Sequence, residues 1–280
     1  MQHLANERHQ VVLEMMAPVE DDMSNIDPSR HEPAVFLDVE TTGTDPDHHE
    51  VIQIAMLPVW IDPETREITG QRAPMSRYQQ PSAPLSKEIK EITGLNDDLL
   101  AGKEIDWTRV AAFLSQCKWV IAHNARFDYR FVAASLRRAG LEMPESIWCC
   151  SMDHVSWPGL TGRSSSLQLL GFWHGFWFNG HNAARDVEAL YTIFKSNDEA
   201  MDLLLHRAAQ PDFRVYAAGS RYEENSLLKE RSYKWDPEAR CWWTSQPNRV
   251  EAEVEAVWLD QNLSQVEPQV VEVPAAQRFA

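Results

Sequence analysis

Two runs near the start of the apolar part of the chain set its character. AVFLDVE (34–40) and VIQIAMLPVWI (51–61) are nearly continuous in Val, Ile, Leu and Phe, the pattern of strands buried on both faces, and Gly43, Asp45 and Pro46 supply turn chemistry between them. They predict a hairpin, which ITGQRAPMSRYQQP (68–81) continues as a third strand. SKEIKEITG then reads as a short helix stopped by Gly94, and WTRVAAFLSQC as an amphipathic helix with Val110, Phe113 and Leu114 in step. KWVIAHN is a short buried strand leading into the helix FDYRFVAASLRRAG, where Phe127, Phe131, Val132 and Leu136 share a face. IWCCSMD is strand-like, GLTGRSSS a loop, SLQLLGFWHG a helix, and RDVEALYTIFKS a helix with Val187, Leu190 and Phe194 on one side. A meander followed by alternating strands and helices predicts an α/β fold, a mixed sheet flanked by helices.

The pattern changes near Ala208. RVYAAG, NSLLKER, SYKWDPEARCWWTS and VEAEVEAVWLDQN predict strand, helix, hairpin and helix, a small α+β module. The expected organisation is an N-terminal tail over 1–32, with a short helix near VVLEMM, a main domain over 33–206, the module over 208–263 and a tail over 264–280. The prolines and polar residues of SQVEPQVVEVPAAQRFA suggest the last of these.

Composition narrows the setting. The chain has 280 residues, 44% of them hydrophobic, enough for a substantial core. Four cysteines without CxxC spacing indicate neither a zinc site nor a disulfide framework, and no run is long and apolar enough to span a membrane, so a reducing, cytoplasmic setting is expected. The net charge of -16 argues against a general basic surface for polyanions. A site in which acids hold divalent cations reverses that argument locally.

Candidate chemistry lies where acids interrupt apolar runs. Asp38 and Glu40 are two apart in a strand, so they project from one face, and two neighbouring carboxylates call for a cation or for a solvated edge strand. Asp128 falls at a helix start after a strand, where it serves either a site at the carboxyl end of the sheet or the helix dipole. Asp186 lies in the first turn of its helix at the margin of the packed face. His181, five residues earlier in the entry loop, is suited to accepting a proton, although a lone histidine there is more often structural.

Taken in order, FLDVETTG, ITGL, IAHNARFD and HNAARD resemble the DEDDh group of the DnaQ-like 3'-5' exonuclease superfamily, over residues from about 34 to 196. The related DEDDy group carries a tyrosine four residues before the last aspartate, where this chain has Asn182. The resemblance implies an RNase H-like fold and two-metal hydrolysis of phosphodiesters at 3' ends of single-stranded nucleic acid, releasing nucleoside 5'-monophosphates. It makes Asp38, Glu40, Asp128 and Asp186 the ligands of two Mg2+ or Mn2+ ions and His181 the general base. The expected substrate is DNA; an exoribonuclease similar to RNase T is the alternative, and a non-catalytic nucleic-acid-binding protein is a third reading that the full acid set argues against. Relatives suggest a homodimer or association with a DNA polymerase in proofreading, while a free-standing repair enzyme fits equally.

Around the acids, Thr41, Thr42 and Gly43 form a tight turn able to meet the terminal nucleotide, and Phe127 is either a stacking platform or helix core. Trp173, Phe176, Trp177 and Phe178 are expected to pack. Arg126, Arg130, Arg137 and Arg138 form the most basic stretch, either a guide for a single strand or a solvated face. The module, through LLKERSYKWDPEARCWW, resembles one appended to some bacterial exonucleases of this group; Trp235, Trp242 and Trp243 are expected to be its core, with base stacking as the alternative.

Overall fold

The computed structural model describes residues 13–24, 26–27, 29–157, 166–237 and 239–280. The loop expected at GLTGRSSS therefore lies largely outside the described residues. The chain divides into two compact units, one ending at Leu205 and one running from His206 to Ala280.

In the first unit the elements run β1 (Glu14–Met15), β2 (Glu32–Thr41), β3 (Val51–Ile61), β4 (Ile68–Gln71), β5 (Met75–Tyr78), α1 (Lys87–Thr93), α2 (Asp97–Leu100), α3 (Trp107–Leu114), β6 (Trp119–Ala122) and α4 (Ala125–Arg138). They continue with β7 (Ile147–Cys150), α5 (Ser151–His154), α6 (Leu167–Trp173), β8 (Phe176–Trp177), α7 (Ala183–Lys195) and α8 (Asp198–Ala209), the last reaching into the second unit. The sheet has the order β4-β3-β2-β6-β7, with β5 also on β3. The pairs β2–β3, β3–β4 and β3–β5 are antiparallel, while β2–β6 and β6–β7 are parallel.

The predicted hairpin is present, and its strands are buried because they lie in the middle of this mixed sheet. Val35, Phe36, Leu37, Ile52, Ile54 and Leu57 are fully enclosed. The single third strand is in fact two: β3 is long enough to pair β4 at Val59–Ile61 and β5 at Gln53–Met56, and the stretch between them, which contains Pro74, makes no ladder. Helix α4 is stopped as expected, with Gly140 at φ 72 just beyond Arg137 and Arg138.

The N-terminal segment departs from expectation. At its described residues VVLEMM forms no helix; Glu14–Met15 pairs in parallel with Phe176–Trp177, and Met16 is buried. Backbone groups satisfied by β8 outweigh local helical preference here. Asp22 bridges to Gln71, so the segment lies against the first unit and is not a free tail. Helices α2 and α8 had not been anticipated.

The second unit contains the end of α8, β9 (Asp212–Ala218), α9 (Asn225–Glu230), β10 (Lys234–Asp236), β11 (Cys241–Gln246), α10 (Arg249–Asn262) and β12 (Glu267–Val273). Its antiparallel sheet has the order β10-β11-β9-β12. The predicted strand, helix, hairpin and helix are all present. The tail expected over 264–280 is instead largely the edge strand β12, paired with β9 from Glu267 to Val273. An edge strand tolerates Pro268, the residue that made the segment look irregular. Val215, Ala217, Leu228, Tyr233, Trp242, Ala252 and Leu259 form the core between this sheet and the helices.

Candidate active site

Three elements bring the acids together. In β2, Asp38 and Glu40 lie opposite Ala55 and Gln53, and the ladder shifts between Glu40 and Thr41, where the strand leaves the sheet. Asp128, in the first turn of α4, accepts a hydrogen bond from the Val39 backbone N–H (3.2 Å), which ties the helix start to the strand between the two other acids. In α7 the cap is reciprocal: Asn182 accepts from the Arg185 N–H (3.4 Å) while Asp186 accepts from the Asn182 N–H (2.9 Å). The helix is anchored by Arg185–Glu188 (2.8 Å), and Glu188 also accepts from the Val19 N–H (3.0 Å). His181 enters this cap at φ 61, a left-handed conformation uncommon for a residue with a side chain.

Asp38, Glu40 and Asp186 each direct an oxygen into one cluster, all within 4.8 Å of one another. Asp128 stands outside that closest group but is fully within the electrostatic one. None of the ion pairs among the described residues engages any of the four. Burial, followed by repulsion from Asp128, Asp186 and Glu40, holds the Asp38 carboxyl well above the usual carboxylate range. Burial, followed by repulsion from Asp186 and Asp128, pushes Glu40 up to about 8. Burial raises Asp128 to about 8 against the pull of the Val39 N–H, and Asp186 to about 7 against the N–H groups of Asn182 and His181. Four carboxyls that resist ionisation together, with hard oxygens converging and no ion-pair partner among the described residues, suit a divalent cation.

The acids open into a cleft of about 540 Å³. Thr41, Gly43 and Thr44 form one wall, Ile89, Ile92 and Thr93 of α1 a second, and His123, Asn124 and Phe127 a third, with Met152, Ser166, Leu167, Gln168 and His181 completing it. Gly43 is required by a close approach, because a β-carbon there would run into the His49 ring. Thr41 donates to the Gly43 carbonyl (2.5 Å). Thr42 is not part of the lining; its hydroxyl accepts from the Glu50 N–H (3.0 Å) and closes the turn. Phe127 lines the cleft and packs on Phe131, with ring centres 4.7 Å apart.

The walls from α1, α5 and α6 are the part that the spacing of acids did not reveal. ITGL is the one signal that pointed towards them: Thr93 donates to the Ile89 carbonyl (2.8 Å) and accepts from the Leu95 N–H (3.1 Å), which sets the helix end beside the cleft. The basic stretch is not a continuous guide. Arg137 pairs with Asp47 (3.1 Å) and Arg138 donates to the Pro46 and His49 carbonyls, so both hold the loop after β2. Phe176 and Phe178 pack as expected, whereas Trp173 and Trp177 are exposed outside the cleft.

A mixed sheet of this order, with acids from a central strand and two helix starts meeting at one cleft, belongs to the RNase H-like class. The model of the family described as Exonuclease matches residues 35–194, and the chain belongs to this family, within the DnaQ-like 3'-5' exonuclease superfamily. It is 30% identical over 171 residues to the 3'-5' exonuclease DinG of Bacillus subtilis (strain 168), an alignment covering 57% of this chain and 17% of that protein. It is 33% identical over 110 residues to DNA polymerase III PolC-type of Halalkalibacterium halodurans, covering 38% of this chain and 7% of that one. The chain thus spans a small fraction of these relatives. The crystal structure of E. coli Exonuclease I in complex with a dA16 oligonucleotide shares the fold, with a TM-score of 0.51 and 18% identity over 88% of this chain and 66% of that one. No helix among the described residues is long and apolar enough to cross a membrane.

Proposed function

We propose that the protein is a metal-dependent 3'-5' exonuclease that removes nucleoside 5'-monophosphates from single-stranded DNA ends. The observation that carries this reading is the cluster of Asp38, Glu40 and Asp186 oxygens within 4.8 Å, with Asp128 buried beside them and no ion pair to any of the four among the described residues. These four carboxylates would hold two Mg2+ or Mn2+ ions. When bound, such ions supply charge neutralisation at the phosphate and increase the acidity of the attacking water.

The other roles fall to the chain's own side chains. His181, at the cleft and outside the acid cluster, takes the proton of the water at an imidazole nitrogen. Phe127 offers its ring to the terminal base, and the turn at Thr41 and Gly43 limits the space around the terminal sugar. The relative named DNA polymerase III PolC-type favours DNA as the substrate.

The test is digestion of 5'-labelled single-stranded DNA and RNA of one sequence with Mg2+, Mn2+ or chelator. Stepwise shortening of the DNA in either metal, lost in chelator, is expected. No shortening of either strand would overturn the enzyme reading, and faster shortening of RNA would overturn the choice of DNA.

A further inference from the structure

Helix α10 is apolar on two opposite sides. Towards the sheet it buries Ala252 and Leu259, which join the core of the second unit. On the other side Val250, Val254 and Val257 follow at intervals of four and three, so they share one stripe, and they stand 70%, 65% and 54% exposed. Helix formation does not call for them, because valine loses side-chain freedom in a helix and these three gain little burial in return. Alternating intervals of four and three are the a and d positions of a seam between two helices, and Gln261 continues the row.

The side chains beside the stripe define the partner that fits it. Glu253 and Asp260 border it on one side and Glu251 on the other, all exposed, with the half-buried Trp258 completing the second flank. In a seam these are the positions that meet the charges of the facing helix. Among the described residues no ion pair engages Glu251, Glu253 or Asp260. Glu251 accepts from the Asn248 side-chain amide (3.0 Å), a neutral donor that leaves its charge in place. Two cations close by are engaged: Arg249 pairs with Glu272 (3.3 Å), and Arg231 pairs with the buried Glu255 (2.6 Å) while lying 3.9 Å from the centre of the Trp258 ring. A second copy of the chain is a poor partner, since in a parallel or an antiparallel pairing acid would face acid or Trp258 across the seam. The same acids repel nucleic acid and anionic membranes.

We propose that the outer face of α10 docks a helix of another protein, one with its own apolar stripe bordered by lysine or arginine. The valines bury their side chains on contact, and opposite charges on both flanks set the register and exclude a second copy. Nothing in this docking depends on catalysis at the acid cluster.

The experiment titrates the full chain into a fluorescein-labelled synthetic helix that carries isoleucine and leucine on its stripe and lysine on both flanks. Two counterparts are run beside it, one with glutamate on the flanks and one with serine on the stripe. Anisotropy should show binding of the apolar, lysine-flanked helix alone. Val254→Asp should weaken that binding by about tenfold or more, because it places a charge inside the seam, even though it adds an acid. Glu253→Lys together with Asp260→Lys should weaken it too and admit the glutamate-flanked helix. Affinity unchanged or raised in Val254→Asp would overturn the proposal, since charge alone would then hold the peptide. Where Val254→Asp lowers the melting temperature, Val250→Ser combined with Val257→Ser decides by the same criterion. Sedimentation of the free chain as a dimer that Val254→Asp dissociates would overturn it in favour of a second copy.

Discussion

Two groups of buried carboxylates in this molecule are handled in opposite ways. In the second unit, burial alone would raise Asp212, yet Arg207 and Arg278 hold it below the usual carboxylate range. Arg278, itself buried, has Nε 3.0 Å from Asp212 and also donates to the carbonyls of Ala208 (3.1 Å), Arg207 (3.2 Å) and Gln210 (2.5 Å). Glu255 accepts hydrogen bonds from Arg231 (2.6 and 3.0 Å) and from the Tyr233 hydroxyl (3.0 Å). In the first unit Asp38, Glu40, Asp128 and Asp186 have, among the described residues, no ion pair and only one another and a few backbone N–H groups. Where a fold needs an acid only for structure, it surrounds it with donors; the unsatisfied group is the one kept for a ligand.

Substitutions separate the two cases, and the largest effect should come from the first. Asp186→Asn should reduce shortening of labelled DNA by about 10³-fold or more, beyond the range of a single hydrogen bond, without lowering the melting temperature in chelator. If activity persists, the cluster is not the site. Asp212→Asn should do the reverse, costing about 3 to 5 kcal/mol in urea unfolding because it leaves the buried Arg278 and the half-buried Arg207 without their anion. Retention of parental stability would show that the network contributes little.

The third effect is one of pH. The site carboxyls have folded pKa values above their unfolded ones, so the folded state binds the extra protons and stability in chelator must fall as pH rises. For Glu40 the window runs from 4.5 to about 8. Calorimetric melting temperatures should decline across it, Asp128→Asn should flatten the decline, and Mg2+ or Mn2+ should oppose it at its upper end. A rise in melting temperature over that window would contradict the assigned shifts. The smallest effect concerns His181: replacing it with Gly relieves the left-handed backbone and should add less than about 1 kcal/mol of stability. The same change should slow cleavage by roughly 10² to 10⁴-fold while isothermal titration shows metal binding retained.

The sequence made visible those parts whose geometry is local. Asp38 and Glu40 two apart in a strand must share a face, and Gly94 and Gly140 must end helices. What it hid was built from distant pieces. β12 buries few of its side chains, so its valines gave little pattern, and its place is set by the free edge of β9. Nothing near Glu14 announces Phe176 as its partner, and nothing near Arg278 announces Asp212. Apart from Thr93, the cleft walls from α1, α5 and α6 (Ile89, Ile92, Met152, Leu167 and Gln168) are residues of ordinary type, distinguished only by where the fold brings them.

The hairpin of β2 and β3 also orders events in time. Its strands are joined by the short loop 42–50, so closing it costs little chain entropy, and Asp38 and Glu40 reach their native spacing with the first contacts. Asp128 and Asp186 arrive through α4 and α7, much later along the chain. The four acids are therefore spread apart until the last long-range contacts form, and their mutual repulsion is deferred to the end of folding, when a cation can relieve it.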